Sequence, residues 1–292
     1  MKRFTVIFIL LALLLGVLSS CADHYPQVVA TTAPVCEFTR LICKGTGISV
    51  GLLVTEEISC LHDYSLQVSQ MRMLESAELI VISGAGLENF LADVLPSDGR
   101  IIDSSAGCHI HNGSHTHEHA SHEDHHHEVD PHIWLAPENA KIMAQNIADG
   151  LTGQYPVHAE VFEANLEKLI AQLDALQAYG EQSLAGLSRR ELITFHDGFA
   201  YFAEAFDLTI LRAIEEESGS EASAQELKEL ILLVEEHDLP AIFTEVNGST
   251  SAAQTVSLET GAELYSLSMA MSGGSYFETM YHNINTVKEA LE

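Results

Sequence analysis

The sequence predicts an α/β protein of two lobes, each built on a mostly parallel sheet flanked by helices, joined by one long rigid linker helix that leaves a cleft between them. Three observations predict it. Short apolar runs alternate with helical periodicities in two separate blocks of the chain. A long leucine-bearing helical tract lies between the blocks. The length, once a leader is removed, leaves about 270 residues, enough for two lobes of roughly 100 to 150 residues each.

In the first block, Gln27 to Thr31 (QVVAT) and Ile48 to Val54 (ISVGLLV) read as buried strands. They flank a helix from Pro34 to Cys43 that Gly45 and Gly47 terminate. Ser65 to Ser76 has helical spacing, Glu78 to Ile82 (ELIVI) reads as a strand, Leu87 to Val94 as a short helix and Arg100 to Asp103 (RIID) as another strand. Pro137 then opens a helical tract that runs to Leu184, with a break expected at Tyr155-Pro156, and its length suggests a spine between lobes. The second block repeats the alternation. Strands are expected at Glu191 to Thr194, Thr209 to Ala213, Ala241 to Thr244 and Glu263 to Leu267. Helices are expected at Gly198 to Phe206, Ser223 to His237, Ser251 to Thr260 and Ser275 to Leu291. The resulting division is a leader (1–20), an N-terminal lobe (21–136), a linker region (137–187) and a C-terminal lobe (188–292). Open α/β sheets bind ligands at the carboxyl ends of their strands, so the cleft is the expected site.

The leader carries Lys2 and Arg3, an apolar run from Phe4 to Val17 and then Leu18-Ser19-Ser20-Cys21. It reads as a secretory signal, and its end resembles the bacterial lipobox, in which the cysteine is lipidated and becomes the first mature residue. Cys21 is therefore the expected membrane anchor, with the lobes outside the cytoplasm. The net charge of −29, from 13 basic and 42 acidic residues, argues against nucleic acid as a partner. No strand is followed by GxGxxG or GxxxxGK[ST], so nucleotide cofactors have no support. Cys36 and Cys43 lie seven residues apart in one expected helix, about 10 Å along its axis, and cannot bridge each other while it is intact. Pairing with Cys60 or Cys108 and free buried thiols both remain open.

Ten of the chain's 16 histidines fall between Cys108 and Pro137. His109, His111, His115, His117, His119, His122, His125, His126 and His127 are interleaved with acids in an expected surface loop, 108–129, and offer weak, exchangeable metal ligands. A purification tag would sit at a terminus as a pure run; this stretch is internal and mixed. Outside the low-complexity part, His62 follows a strand, His132 precedes the spine and His196 follows a strand. Each has an aspartate close by in sequence, Asp63, Asp130 and Asp197, suited to orienting an imidazole, and this favours a metal site in the cleft.

The stretches HDYSLQVSQMRMLESAELIVISGAGLENF, DPHIWLAP after an acid- and histidine-rich loop, TFHDGFAYFAEAF, AIFTEVNGSTSAAQTVSLETGAELYSL and YFETMYHNINTVKEAL carry a resemblance over nearly the whole mature chain. It resembles the zinc/manganese solute-binding receptors of bacterial ABC importers, the cluster 9 metal-receptor family. The resemblance implies two lobes on one rigid helix, a single ion in the cleft, and a monomer that delivers the ion to a membrane permease. The family's three histidine ligands carry over onto His62, His132 and His196. Manganese-selecting members place a carboxylate at the third position, so His196 points to zinc, which three neutral imidazoles suit. In many relatives a late aspartate supplies a fourth ligand, but here Ser268 stands in its place, so Glu245, water or a loop residue must complete the shell. A manganese or other divalent-metal receptor or adhesin of the same fold is the alternative. A zinc hydrolase is disfavoured by the wide spacing of the histidines and the lack of HExxH, so no enzyme is expected.

Overall fold

A computed structural model describes residues 25–56, 61, 64–111, 129–213, 222–246, 250–271 and 274–292. The leader, Cys21, Cys60, His62, Asp63 and the loop histidines from His115 to His127 lie outside the described residues.

The N-terminal lobe is built on β1 (Val28–Ala30), β2 (Val50–Leu52), β3 (Leu79–Ile82) and β4 (Ile101–Asp103), which pair in the order β2-β1-β3-β4 with every neighbour parallel. The C-terminal lobe repeats this order with β5 (Glu191–Thr194), β6 (Thr209–Ala213), β7 (Ala241–Glu245) and β8 (Glu263–Leu267), as β6-β5-β7-β8. Because side chains alternate across a strand, each sheet feeds two cores. Val28, Ala30 and Val81 join one large cluster, whereas Val29 and Ile80 pack with Leu53, Leu74 and Leu91 on the outer face. In the second sheet Leu192 and Phe243 join that same large cluster, while Ile193 and Ile242 pack outward with Leu230, Val234 and Val256. The lobes therefore share a continuous apolar core.

Helices cover the sheets where the periodicity predicts them. In the first lobe α1 (Ala33–Ile42) buries Val35, Phe38 and Ile42. The second helix, α2 (Val68–Ser76), starts three residues later than expected, because the Gln70 side chain accepts the backbone N–H of Gln67 at 2.8 Å and caps the helix there. Tyr155 has φ −124° and ψ 62°, outside the helical region as expected before a proline, and it divides the spine into α3 (Pro137–Gln154) and α4 (Ala159–Leu184). The two helices pack along each other. At 26 residues α4 spans about 39 Å and grips both lobes. Asn165 donates to the Ile42 and Lys44 carbonyls at the end of α1, and Gln177 donates to Ala205 O. Phe206 presses so closely on Gly180 that an added Cβ would lie 2.1 Å from its ring. Among the described residues no helix is long and apolar enough to cross a membrane. The C-terminal lobe is completed by α5 (Ala200–Ala205), α6 (Ala224–Glu236), α7 (Ser251–Thr260) and α8 (Tyr276–Leu291).

The expected helix from Leu87 to Val94 is instead a short 3-10 turn, Leu87–Leu91, and Glu88 accounts for the difference. Its buried carboxylate turns back to the end of β3, where it accepts the Thr31 hydroxyl at 2.6 Å, Ser83 N–H at 2.7 Å and Gly84 N–H at 3.0 Å. Burial, the largest effect, pushes this carboxyl from 4.5 up to about 7, against the hydrogen bonds that favour its charged form. A raised folded value means the acid's contribution is fully present below pH 4.5 and is lost as pH rises through 7. Urea unfolding across this range should show stability falling by about 3 kcal/mol on account of this group. Glu88→Gln should flatten that part of the curve; an identical slope in the variant would refute the assignment.

Candidate metal centre

The second sheet changes direction between β5 and β7, since β5 runs on to β6 at one edge while β7 runs on to β8 at the other. That switch opens a crevice at the carboxyl ends of the two strands. His196 stands two residues beyond β5, held by Phe195 N–H on Phe243 O at 2.9 Å and by the Thr194 hydroxyl on His196 O at 3.1 Å. Glu245 is the last residue of β7, one longer than the sequence predicts, and this places its carboxylate beside His196, with Oε2 3.7 Å from Nδ1. Both side chains are about 95% buried, at 5% exposure each.

His132 comes from the other lobe, on the segment just before the 3-10 turn Ile133–Leu135. Asp130 Oδ1 accepts both the His132 backbone N–H at 3.0 Å and Nδ1 at 2.8 Å. A carboxylate accepting at Nδ1 favours the Nδ1–H tautomer, which would leave the Nε2 lone pair available to a cation. The His132 and His196 rings lie 5.3 Å apart at 87°. With a Zn–N bond of about 2 Å, two imidazoles on one tetrahedral ion put their ring centres about 5 Å apart, so this pair is spaced for a shared ion.

Gly198 makes the approach sterically possible. A Cβ there would fall 2.8 Å from His132 Nδ1 and 2.4 Å from Met269 Cε. The sequence marks this glycine only as the start of a helix; its packing role is not readable there, because its neighbours come from distant parts of the chain. Ser268 is tied into the turn after β8: its N–H donates to Asn283 Oδ1, its carbonyl accepts Asn283 Nδ2, and its hydroxyl accepts Ala270 N–H. Glu245, which the sequence offers for the fourth position alongside water or a loop residue, stands beside an imidazole. The thiols stand apart from this chemistry. Cys36, Cys43 and Cys108 are free, and burial raises them to about 11, 12 and 11, so they stay protonated and are poor ligands at neutral pH. His109 and His111 lie at the root of the histidine-rich segment, beside Glu204 of α5.

The sequence profile of ZnuA, the periplasmic component A of zinc-uptake complexes, matches residues 28–290. The zinc-binding lipoprotein AdcA of Streptococcus pneumoniae is 28% identical over 292 residues; the match covers 93% of this chain but 57% of that protein. A crystal structure of ZnuA superposes with a TM-score of 0.81 at 29% identity, covering 92% of this chain and 100% of that one. A zinc-bound deletion mutant of ZnuA gives 0.79 at 28% identity, with 92% and 99% covered.

Gly198→Ala should displace the His132 ring from Asp130 and weaken zinc binding by about 10- to 100-fold. A chelator competition assay reads the loss, and circular dichroism should show the fold retained. Unchanged affinity would mean that the Asp130–His132 pair does not set the site.

Proposed function

We propose that this chain, which belongs to the family of ZnuA, the periplasmic component A of zinc-uptake complexes, captures Zn2+ outside the cytoplasm and delivers it to the permease of an ABC importer. The observation that carries the reading is the buried meeting of His132 from one lobe with His196 from the other, which has Glu245 beside it. Ligands drawn from both lobes make occupancy of the site sensitive to how the lobes sit together, which suits a protein that must hold an ion and then release it. His62, in the segment after β2, is the third imidazole of the set. Glu245 or water completes it.

Imidazole nitrogens with at most one carboxylate oxygen favour zinc over manganese, a harder ion that prefers oxygen-rich sites. The anion also offsets part of the ion's charge where water is excluded. The role is binding and transfer, without catalysis. Cys21 carries the lipid that holds the receptor at the outer face of the membrane, and the chain acts as a monomer.

His132→Ala and His196→Ala should each lower the affinity of the tight site at least 100-fold, since an imidazole lost from a closed site is not replaced in geometry by water. Native mass spectrometry with competing Mn2+ should find one tight zinc per natural chain. If either variant keeps full affinity, that residue is not a ligand. Cys21→Ala should move the protein from the membrane fraction to the soluble fraction of the cell envelope or medium, and continued membrane association would exclude lipidation there.

A further inference from the structure

We propose a second, solvent-facing zinc site formed by His109, His111 and Glu204, which bridges the two lobes. It is separate from the buried pair and does not rest on it. The three side chains bring one ligand atom each within 4.8 Å of one another. His111 Nε2 is 2.7 Å and His109 Nε2 is 3.7 Å from the same Glu204 oxygen, and the two rings lie 5.0 Å apart at 82°. Donors on a tetrahedral zinc ion are about 3.3 Å apart, so an ion fits after a small retreat of Glu204 from His111.

The site is built by backbone that is already fixed. Asn139 of α3 clamps His109 from both sides, with Oδ1 accepting its N–H at 2.8 Å and Nδ2 donating to its carbonyl at 2.9 Å. Tyr201 Oη accepts His111 N–H at 2.9 Å, and the His111 carbonyl accepts Asp130 N–H at 3.2 Å. Residues two apart on such a held, non-helical segment present their side chains to one side. Glu204 follows Tyr201 by three residues on α5, so the helix that anchors His111 also aims the carboxylate at it.

A simple ion pair accounts for His111 and Glu204 but not for the convergence of His109 on the same oxygen. Two nitrogens and one oxygen are a donor set for zinc, with water at the fourth position. The side chains are open enough for exchange, at 65% exposure for His109 and 57% for Glu204, against 29% for His111. The same Tyr201 hydroxyl donates to the Asp130 carbonyl at 2.8 Å, and Asp130 orients His132. The open site and the buried pair therefore hang on adjoining parts of one hydrogen-bonded frame. An ion in the open site ties the segment at 109–111, which leads into the histidine-rich loop, to the C-terminal lobe.

The test is titration of the full mature chain with Zn2+ alone against a graded series of chelators. Glu204→Gln lies outside the histidine-rich stretch, leaves its imidazoles intact, and should weaken one exchangeable equivalent about tenfold or more while the tightest equivalent stays unchanged. His111→Ala should weaken the same equivalent. Zinc-edge anomalous diffraction from crystals of the loaded chain should place an ion between the three side chains. Unchanged titrations in both variants overturn the proposal, even if a peak is seen in crystals, and so does the absence of a peak from this position. Loss of the tightest equivalent instead would count against the separation of the two sites. Failure of the transport reading would show itself independently, as absence of a tight equivalent in the natural chain.

Discussion

Trp134 is the contact on which the relation of the two lobes depends. Fully buried, it donates from Nε1 to Met269 O at 2.7 Å across the cleft, and its own carbonyl accepts the Tyr276 hydroxyl at 2.9 Å from the first turn of α8. Truncating such a side chain typically costs about 3–5 kcal/mol, so a single residue fixes much of the inter-lobe geometry. His132 sits two positions earlier with its ring 5.5 Å from the indole, while Met269, which accepts the indole N–H, also lies against Gly198. The His132 segment of the first lobe and the turn after β8 in the second are thus seated on one side chain. Glu37 of α1 reinforces the junction, accepting Tyr276 N–H at 2.6 Å and the Ser275 hydroxyl at 2.8 Å.

The two sheets have the same strand order but use their switch points differently. In the first lobe, the crevice between β1 and β3 is closed by Glu88, whose carboxylate takes the backbone N–H groups at the end of β3 and the Thr31 hydroxyl. Burial makes that group reluctant to ionise, and its role is to hold the loop. In the second lobe the equivalent crevice presents His196 and Glu245 toward the other lobe. The same strand order therefore leaves one crevice filled by a carboxylate and the other bordered by an imidazole and a carboxylate, and the difference lies in which polar residues stand at the ends of the central strands.

Much of this was legible in the sequence because it depends on local pattern. Apolar runs of strand length, leucines at helical spacing and the Tyr155-Pro156 break predict most elements to within a few residues. Departures occur where a side chain makes a contact that pattern does not encode: Gln70 delays α2, and Glu88 tightens the turn at Leu87–Leu91. The positions of His132 and His196 at chain segments bordering a cleft, with Asp130 adjacent to one of them, were readable for the same local reason. Gly198, Tyr201 and Glu204 were not. Each acts on a partner far away in sequence, such as the 90 residues between His111 and Tyr201, and no spacing rule connects such pairs.

Burial and exposure set opposite demands on a protein that must both find an ion and keep it. An ion held by imidazoles about 95% buried would be shielded from competing water, and for the same reason its exchange would require the site to open. A site whose side chains face solvent exchanges quickly and binds less tightly. The frame running from Asn139 through the segment at 109–111 to Tyr201 and Asp130 supports the exposed cluster at one end and orients a buried imidazole at the other. Tyr201 and Glu204 both ride on α5, the helix that follows His196 and Gly198, so displacement of this helix would disturb the exposed cluster and the surroundings of the buried pair together. The described root of the acid- and histidine-rich segment, at 109–111, is thus held by the same hydrogen-bonded frame that orients His132, with Tyr201 of α5 as the link between them.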